Sequence, residues 1–285
     1  MRHVPRVAAI HDMSGFGRCS LTVILPVLSA MGVQCCPIPT AYLSTHTGGF
    51  SGMARADLTA TMGESVAHWA ELGLDFDGVY TGYLSSPEQA GLAMEAIRRL
   101  KRTGGLAVVD PACGDNGRLY ASCTPALWAG LEALCAHGDV ITPNLTEAAL
   151  LLGVEYGELP MGGEAAMELA WRLSAEGSRS VVLTGVSDGP DQTGAACFDR
   201  ERGEAHLVSA PRHPGSWPGT GDLFTAVLTG ALLQGRTLFD GAQAAADFVS
   251  ACVAHTLALG TPVREGVAFE PMLGRLASKL PYGER

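Results

Sequence analysis

The sequence predicts an α/β fold: a mostly parallel central sheet with helices on both faces. Three observations lead there. Short Val- and Ile-rich runs alternate with helix-like segments of roughly 10–15 residues, the pattern of successive βαβ units. Glycine is abundant, with 36 residues, many of them where apolar runs end. Hydrophobic residues make up 47% of the chain and charged residues only 17%, which supplies a large core and few long solvated helices.

The elements come in order. Arg6–Ile10 reads as the first strand, closing at a glycine-containing turn, then Leu21–Met31 as a helix and Val33–Pro39 as the second strand. Leu58–Leu72 reads as a helix and Gly78–Thr81 as a strand. The next helix starts after Ser85-Ser86, with Pro87 in its first turn, where a missing N–H costs nothing. Leu106–Asp110 is a strand, Pro125–Ala136 a helix and Val140–Thr142 a short strand. Thr146–Leu152 and Glu164–Ala175 read as helices, and Ser180–Thr184 as a strand. Gly194–Phe198 and Ala205–Val208, parted by the charged turn Asp199–Glu204, suit an antiparallel hairpin. Asp222–Leu233 and Phe239–Leu259 close the pattern as two helices rich in small residues. No biased linker or internal repeat interrupts the chain, so a single domain over residues 1–285 is expected.

Composition removes several function classes. The net charge is −10 and no run of Lys or Arg stands out, so the electrostatic footprint of a nucleic-acid binder is missing. Eight cysteines include no C-x-x-C pair, which argues against structural zinc and for reduced thiols in a cytoplasmic protein. Leu21–Ile38 mimics a membrane span, but Pro26, Gly32, Gln34 and Pro37 break it, whereas a spanning helix needs about 20 mainly apolar residues. Val7–Ile10 is too short for a signal-peptide core. A soluble protein, free of membrane and nucleic acid, is expected.

In open α/β sheets ligands bind beyond the carboxyl ends of the strands. The polar outliers gather in those turns: His11–Arg18, Thr40–Gly52, Gly82-Tyr83, Pro111–Gly117, and Asn144 with Glu147. The sharpest motif is Gly219-Thr220-Gly221-Asp222, directly ahead of an apolar helix. Its glycines admit close backbone approach, and the helix start adds free N–H groups and a positive dipole end. Together these form an anion hole suited to a transferring phosphoryl group. Asp222 beside it could take the proton of an attacking hydroxyl. Read alone, the same carboxylate could simply support a helix start. Asp110 and Asp115 share one loop and could hold a hydrated Mg²⁺; Asn144 and Glu147 could face the same ion or merely open a helix. There is no G-x-x-x-x-G-K-[ST], and Gly15-Phe16-Gly17 lacks the third glycine of a dinucleotide turn, Ser20 standing there instead.

In this order the motifs resemble the ribokinase-like superfamily and, within it, the pyridoxal (vitamin B6) kinases, from about Val7 to Leu259. The resemblance rests on Gly219-Thr220-Gly221-Asp222, Asn144-x-x-Glu147, Ser44-Thr45-His46-Thr47, Thr81-Gly82-Tyr83 and the Asp110–Asp115 loop. It implies a ribokinase-like fold, transfer of phosphate from ATP to the 5′-hydroxymethyl group of pyridoxal, pyridoxine or pyridoxamine, and a homodimer. It also implies roles: Asp222 as base, the 219–221 backbone as anion hole, and Ser14, Thr47 and Tyr83 on the vitamin. Asp110, Asp115, Asn144, Glu147 and Thr184 would serve ATP, with Asp115 and Glu147 toward Mg²⁺. Departures are Thr45 where relatives carry Asn, Thr184 where some carry Lys, and Ala112-Cys113 where larger apolar residues are common. No cysteine lies between Cys197 and Cys252 to act as a lid thiol. Vitamer preference, a monovalent-cation requirement and oligomeric state stay open. The rivals are a hydroxymethylpyrimidine or sugar kinase of the same fold, a non-catalytic nucleotide- or vitamin-binding protein, and, more distantly, an NAD-dependent oxidoreductase.

Overall fold

A computed structural model describes residues 3–160, 162–187 and 189–277. In chain order these form β1 (Arg6–Ser14), α1 (Leu21–Ala30), β2 (Gln34–Leu43), β3 (Arg55–Asp57), α2 (Thr59–Glu71), β4 (Phe76–Thr81) and α3 (Pro87–Leu100). Next come β5 (Lys101–Val109), the small hairpin β6 (Gly114–Asp115) and β7 (Arg118–Leu119), α4 (Pro125–Cys135), β8 (Val140–Ile141) and α5 (Leu145–Leu152). The chain continues through α6 (Gly163–Leu173), β9 (Ser180–Val186), β10 (Gln192–Asp199), β11 (Glu204–Pro211), α7 (Thr220–Leu233) and α8 (Leu238–Leu259).

Among the described residues the main sheet runs β11-β10-β9-β8-β5-β4-β1-β2-β3. The six strands from β2 to β9 pair in parallel, while β10, β11 and β3 add antiparallel edges. Burial on both faces explains why these strands read as continuous apolar runs. Along β1, Val7 and Ala9 join a core with α1, α7 and α8, whereas Ala8 and Ile10 join a second core beneath α2 to α6.

Local chemistry sets the helix starts. Ser86 accepts the Gln89 N–H and Pro87 opens α3; Asn144 and Glu147 form a reciprocal capping box on α5. The apolar stretch Leu21–Ile38 resolves into α1 and the first half of β2. Among the described residues α8 is the one helix long and apolar enough to cross a membrane, and it packs against α7, β10 and β11.

Several elements differ from the sequence expectation. β1 runs on through the polar residues His11–Ser14, because past a register shift Met13 and Ser14 still pair with Tyr42 and Leu43. β2 accordingly reaches Leu43 despite Pro37 and Pro39. β5 begins at Lys101, immediately after α3, through exposed residues whose composition carries no strand signal. β3 is exposed along its whole length and exists only by pairing with β2.

β1 connects forward to β2 on one side, and the chain then returns to β4 on the other. The order reverses at β1 and β4, the place where open α/β sheets bind ligands.

Candidate active site

The Gly219 turn and the loop after β1 are one packed unit. Gly219 has φ of 80°, and a Cβ there would lie 2.0 Å from the Arg18 carbonyl oxygen, so only glycine fits. α7 begins at Thr220 with no side chain capping it, and α1, α2 and α6 are likewise uncapped, whereas Ser86, Thr124, Asn144 and Thr237 cap α3, α4, α5 and α8. The first-turn N–H groups of α7 are left for an anion, beside the half-buried Asp222.

The Ser20 N–H donates to Asp222 Oδ2 at 2.8 Å. Burial raises the Asp222 carboxyl to about 7, the Asp12 charge adds to this, and the Ser20 N–H opposes it. A base with that affinity is matched to neutral pH. Ser20 itself has φ of 53° and ψ of −135°, a conformation costing a non-glycine residue about 1–3 kcal/mol. Its hydroxyl donates to Asp12 Oδ1 at 2.5 Å, and the Ser14 hydroxyl donates to Asp12 Oδ2 at 3.0 Å.

Three further acids approach from the neighbouring strands. Asp110 follows β5, and burial, then the charges of Glu147 and Asp222, push its carboxyl well above the usual range. Glu147 is buried and also raised, chiefly by burial. Both of its oxygens are occupied: Oε1 accepts the Cys113 N–H at 3.0 Å and Oε2 the Asn144 N–H at 2.9 Å. Asn144 is equally engaged, its Oδ1 taking the Thr146 and Glu147 N–H groups and its Nδ2 donating to the Gly114 carbonyl. The pair therefore ties the 110–115 loop to α5, whatever else it does. Asp115 lies at the exposed rim and accepts hydrogen bonds from the Asn116 main chain and side chain. Thr184, at the end of β9, bridges to Asn144 and donates its N–H to the Pro143 carbonyl.

The residues expected at a vitamin ring fall in three different settings. Thr47 is exposed and Tyr83 half-buried beyond the end of β4. Ser14 is fully buried, and its hydroxyl is spent on Asp12. His46 is buried too: its Nδ1 accepts the Gly48 N–H and its Nε2 donates to the Arg264 carbonyl at 2.6 Å, tying the 44–49 loop to the C-terminal segment.

Several residues here escaped the sequence reading. Both ring nitrogens of buried His11 lack a partner, as do Tyr80 Oη, Thr81 Oγ1 and Thr45 Oγ1. Buried polar atoms left unpaired in a native fold ask for an explanation, and these sit at the ends of β1 and β4 and in the loop after β2. His11 stacks edge-on against Tyr80 at 4.3 Å, and burial pushes its imidazole down to about 3, so it is neutral. A Cβ on Gly82 would strike the His11 ring at 2.2 Å. Tyr120 stands among Glu147, Asp115, Asp110 and Asp222, whose charges all raise its phenol after burial does. The one signal for His11 and Asp12 was polar residues directly continuing an apolar strand; Tyr80 gave none, being an aromatic within a strand.

The profile of the phosphomethylpyrimidine kinase family matches residues 25–266. A pyridoxine/pyridoxal/pyridoxamine kinase of Bordetella avium (strain 197N) is 29% identical over 258 residues, covering 88% of this chain and 85% of that protein. Pyridoxal kinase from Lactobacillus plantarum superposes with a TM-score of 0.89 at 33% identity, over 99% of this chain and 100% of the other. A Bacteroides thetaiotaomicron protein assigned to the phosphomethylpyrimidine kinases, crystallised with pyridoxal, gives a TM-score of 0.90 at 39% identity over 96% of each chain.

Proposed function

The chain belongs to the phosphomethylpyrimidine kinase family, and from that premise we propose that it transfers the γ-phosphoryl group of ATP to the 5′-hydroxymethyl group of a B6 vitamer. The observation that carries this reading is the uncapped start of α7 with Asp222 in its first turn. Free N–H groups there suit the charge on the transferring phosphoryl, and Asp222 is matched to take the hydroxyl proton near neutral pH.

The vitamin side is supported by Tyr83 and Thr47, and by the unpartnered groups of His11, Tyr80, Thr81 and Thr45. The nucleotide side is supported by Asp110, Asp115 and Glu147 near Tyr120, and by Thr184 through its bridge to Asn144. Among the described residues none of Asp110, Glu147 and Asp222 forms an ion pair with Lys or Arg. This uncompensated, all-oxygen donor set fits Mg²⁺, yet the described residues hold no cluster of three ligating groups. Asp115 and Glu147, together with Asp110, would therefore hold the ion largely through retained waters. Bound with ATP, Mg²⁺ supplies neutralisation of phosphate charge. All eight cysteines are free thiols, in keeping with a reducing, cytoplasmic setting.

ADP formation from Mg-ATP should appear with pyridoxal, pyridoxine or pyridoxamine. The family profile gives the second reading, a hydroxymethylpyrimidine kinase. Turnover of hydroxymethylpyrimidine with none on any of the three vitamers would replace the first reading by the second. Sedimentation of the same preparation tests the homodimer that the resemblance implies.

A further inference from the structure

Asp12 lies within β1 and is only 3% exposed, yet its carboxylate meets no lysine or arginine among the described residues. It accepts one hydroxyl on each oxygen, from Ser20 and from Ser14. Burying a carboxylate for two serine hydroxyls is an expensive way to stabilise a strand end. What it secures is Ser20. That residue stands just before α1 at φ of 53°, where a side chain is disfavoured, and its side chain gives the helix no cap. In this conformation its N–H points out of the loop and onto Asp222 Oδ2. The preceding residues are fixed as well, since the Arg18 carbonyl abuts Gly219.

We propose that Asp12 is a positioning residue for phosphoryl transfer: by gripping the Ser20 hydroxyl it holds a strained backbone turn whose N–H orients the Asp222 carboxylate toward the substrate hydroxyl. The proposal rests on Asp222 being the base. It assigns Asp12 no contact with vitamer or nucleotide, and so predicts an effect on kcat rather than on KM. A small misplacement of a reacting group can cost about 100-fold in rate.

Steady-state kinetics on the alkaline plateau of the pH profile, where the base is ionised in every variant, test it. Asp12→Asn keeps the volume but offers one acceptor for two hydroxyls. Its kcat should fall by about 10- to 100-fold with both KM values within about threefold of the parent. Ser20→Gly removes the hydroxyl yet adopts positive φ freely, whereas Ser20→Ala removes it and keeps the strain. Ser20→Gly should therefore exceed Ser20→Ala in kcat by about tenfold, the span a shift of roughly one ångström allows. Asp12→Asn added to Ser20→Gly should cost less than the same change in the parent, because the grip is already gone. Should Asp12→Asn fail to fold, the two Ser20 variants decide alone. Equal kcat for Ser20→Gly and Ser20→Ala, or an Asp12→Asn effect confined to KM, would overturn the relay. Asp222→Asn, run in parallel, separates the two readings. Retained turnover there removes the base assignment itself; full turnover of Asp12→Asn beside an inactive Asp222→Asn removes only the relay.

Discussion

The two ends of the sheet treat their carboxylates in opposite ways. At the amino ends of the strands, Asp77 at the start of β4 receives the Arg6 N–H and pairs with Arg102 and His3. Asp139, just before β8, receives the Ala107 N–H and pairs with Lys101 at 2.7 Å and Arg200 at 3.2 Å. These partners hold both carboxyls below the ordinary range against the burial that raises them. At the carboxyl ends, Asp110, Glu147 and Asp222 have no such cations among the described residues, and all three are raised. One end spends its acids on tying strands together. The other keeps acids close and uncompensated, so that each pushes the others toward the protonated form, an arrangement that costs stability and is typical of functional sites.

The contrast breaks most sharply at Asp222. Asp222→Asn should lower kcat by about 10³-fold, the scale of general-base catalysis, while the protein melts no lower than the parent. In the parent, kcat/KM should fall as pH drops below about 7, where the free enzyme's base takes up its proton. A variant that unfolds instead of merely stalling would show Asp222 to be a structural acid like those at the far end.

The mirror experiment is Asp139→Asn. Lys101 and Arg200 would lose their charged partner, and the Ala107 N–H a charged acceptor, at a cost of about 1–3 kcal/mol in stability for this partly exposed site. Turnover at a temperature well below melting should stay at the parent value. The lowered carboxyl sets the sign with pH. The stabilisation is present above the unfolded carboxylate value near 4 and disappears as pH falls through the lower folded value, so parent and variant should converge in acid. A loss of kcat in a folded Asp139→Asn protein would erase the functional asymmetry.

Much of this asymmetry was legible in the chain, because it tracks strand order. The loops carrying Asp110 and Asn144 with Glu147 each come after a strand whose apolar run was plain, and the rule of carboxyl-end sites put them on one rim, while Gly219–Asp222 stood out as a glycine-rich start to an apolar helix. What periodicity missed lies where burial is supplied by other loops. His11–Ser14 stay in β1 although polar, since β2 pairs with them and the 219–222 turn packs on Arg18 and Cys19 just beyond. The resemblance put Ser14 at the vitamin ring, and the sequence could not show that its hydroxyl donates to Asp12, two residues away on the same face of the strand. Asn144 and Glu147 matched a capping box and a metal motif equally well, and the hydrogen bonds satisfy the first without consulting the second. Tyr120 could not be seen at all: a surface-like turn residue acquires its acidic neighbours only when α5, α7 and the 110–115 loop converge.

The smallest effect is the most direct measure of the uncompensated end. Asp110→Asn removes one of the clustered charges without changing side-chain volume. In the parent the raised carboxyl keeps its proton in the folded state after the unfolded chain has lost it. The folded state therefore binds more protons from about pH 4 up to the raised value, and stability declines as pH rises through that window. Glu147 and Asp222, both raised to about 7, share the cluster with Asp110, so the difference between the two melting curves reports the Asp110 charge together with its repulsion of these neighbours. The variant should gain on the order of 1 kcal/mol over the parent in mildly alkaline buffer and nothing near pH 4, while losing ATP-dependent turnover. The sign matters more than the size. A stability loss at alkaline pH would mean that the Asp110 charge is compensated in the folded protein much as Asp77 and Asp139 are. The difference between the two ends would then lie in what the partners are, not in whether there are any.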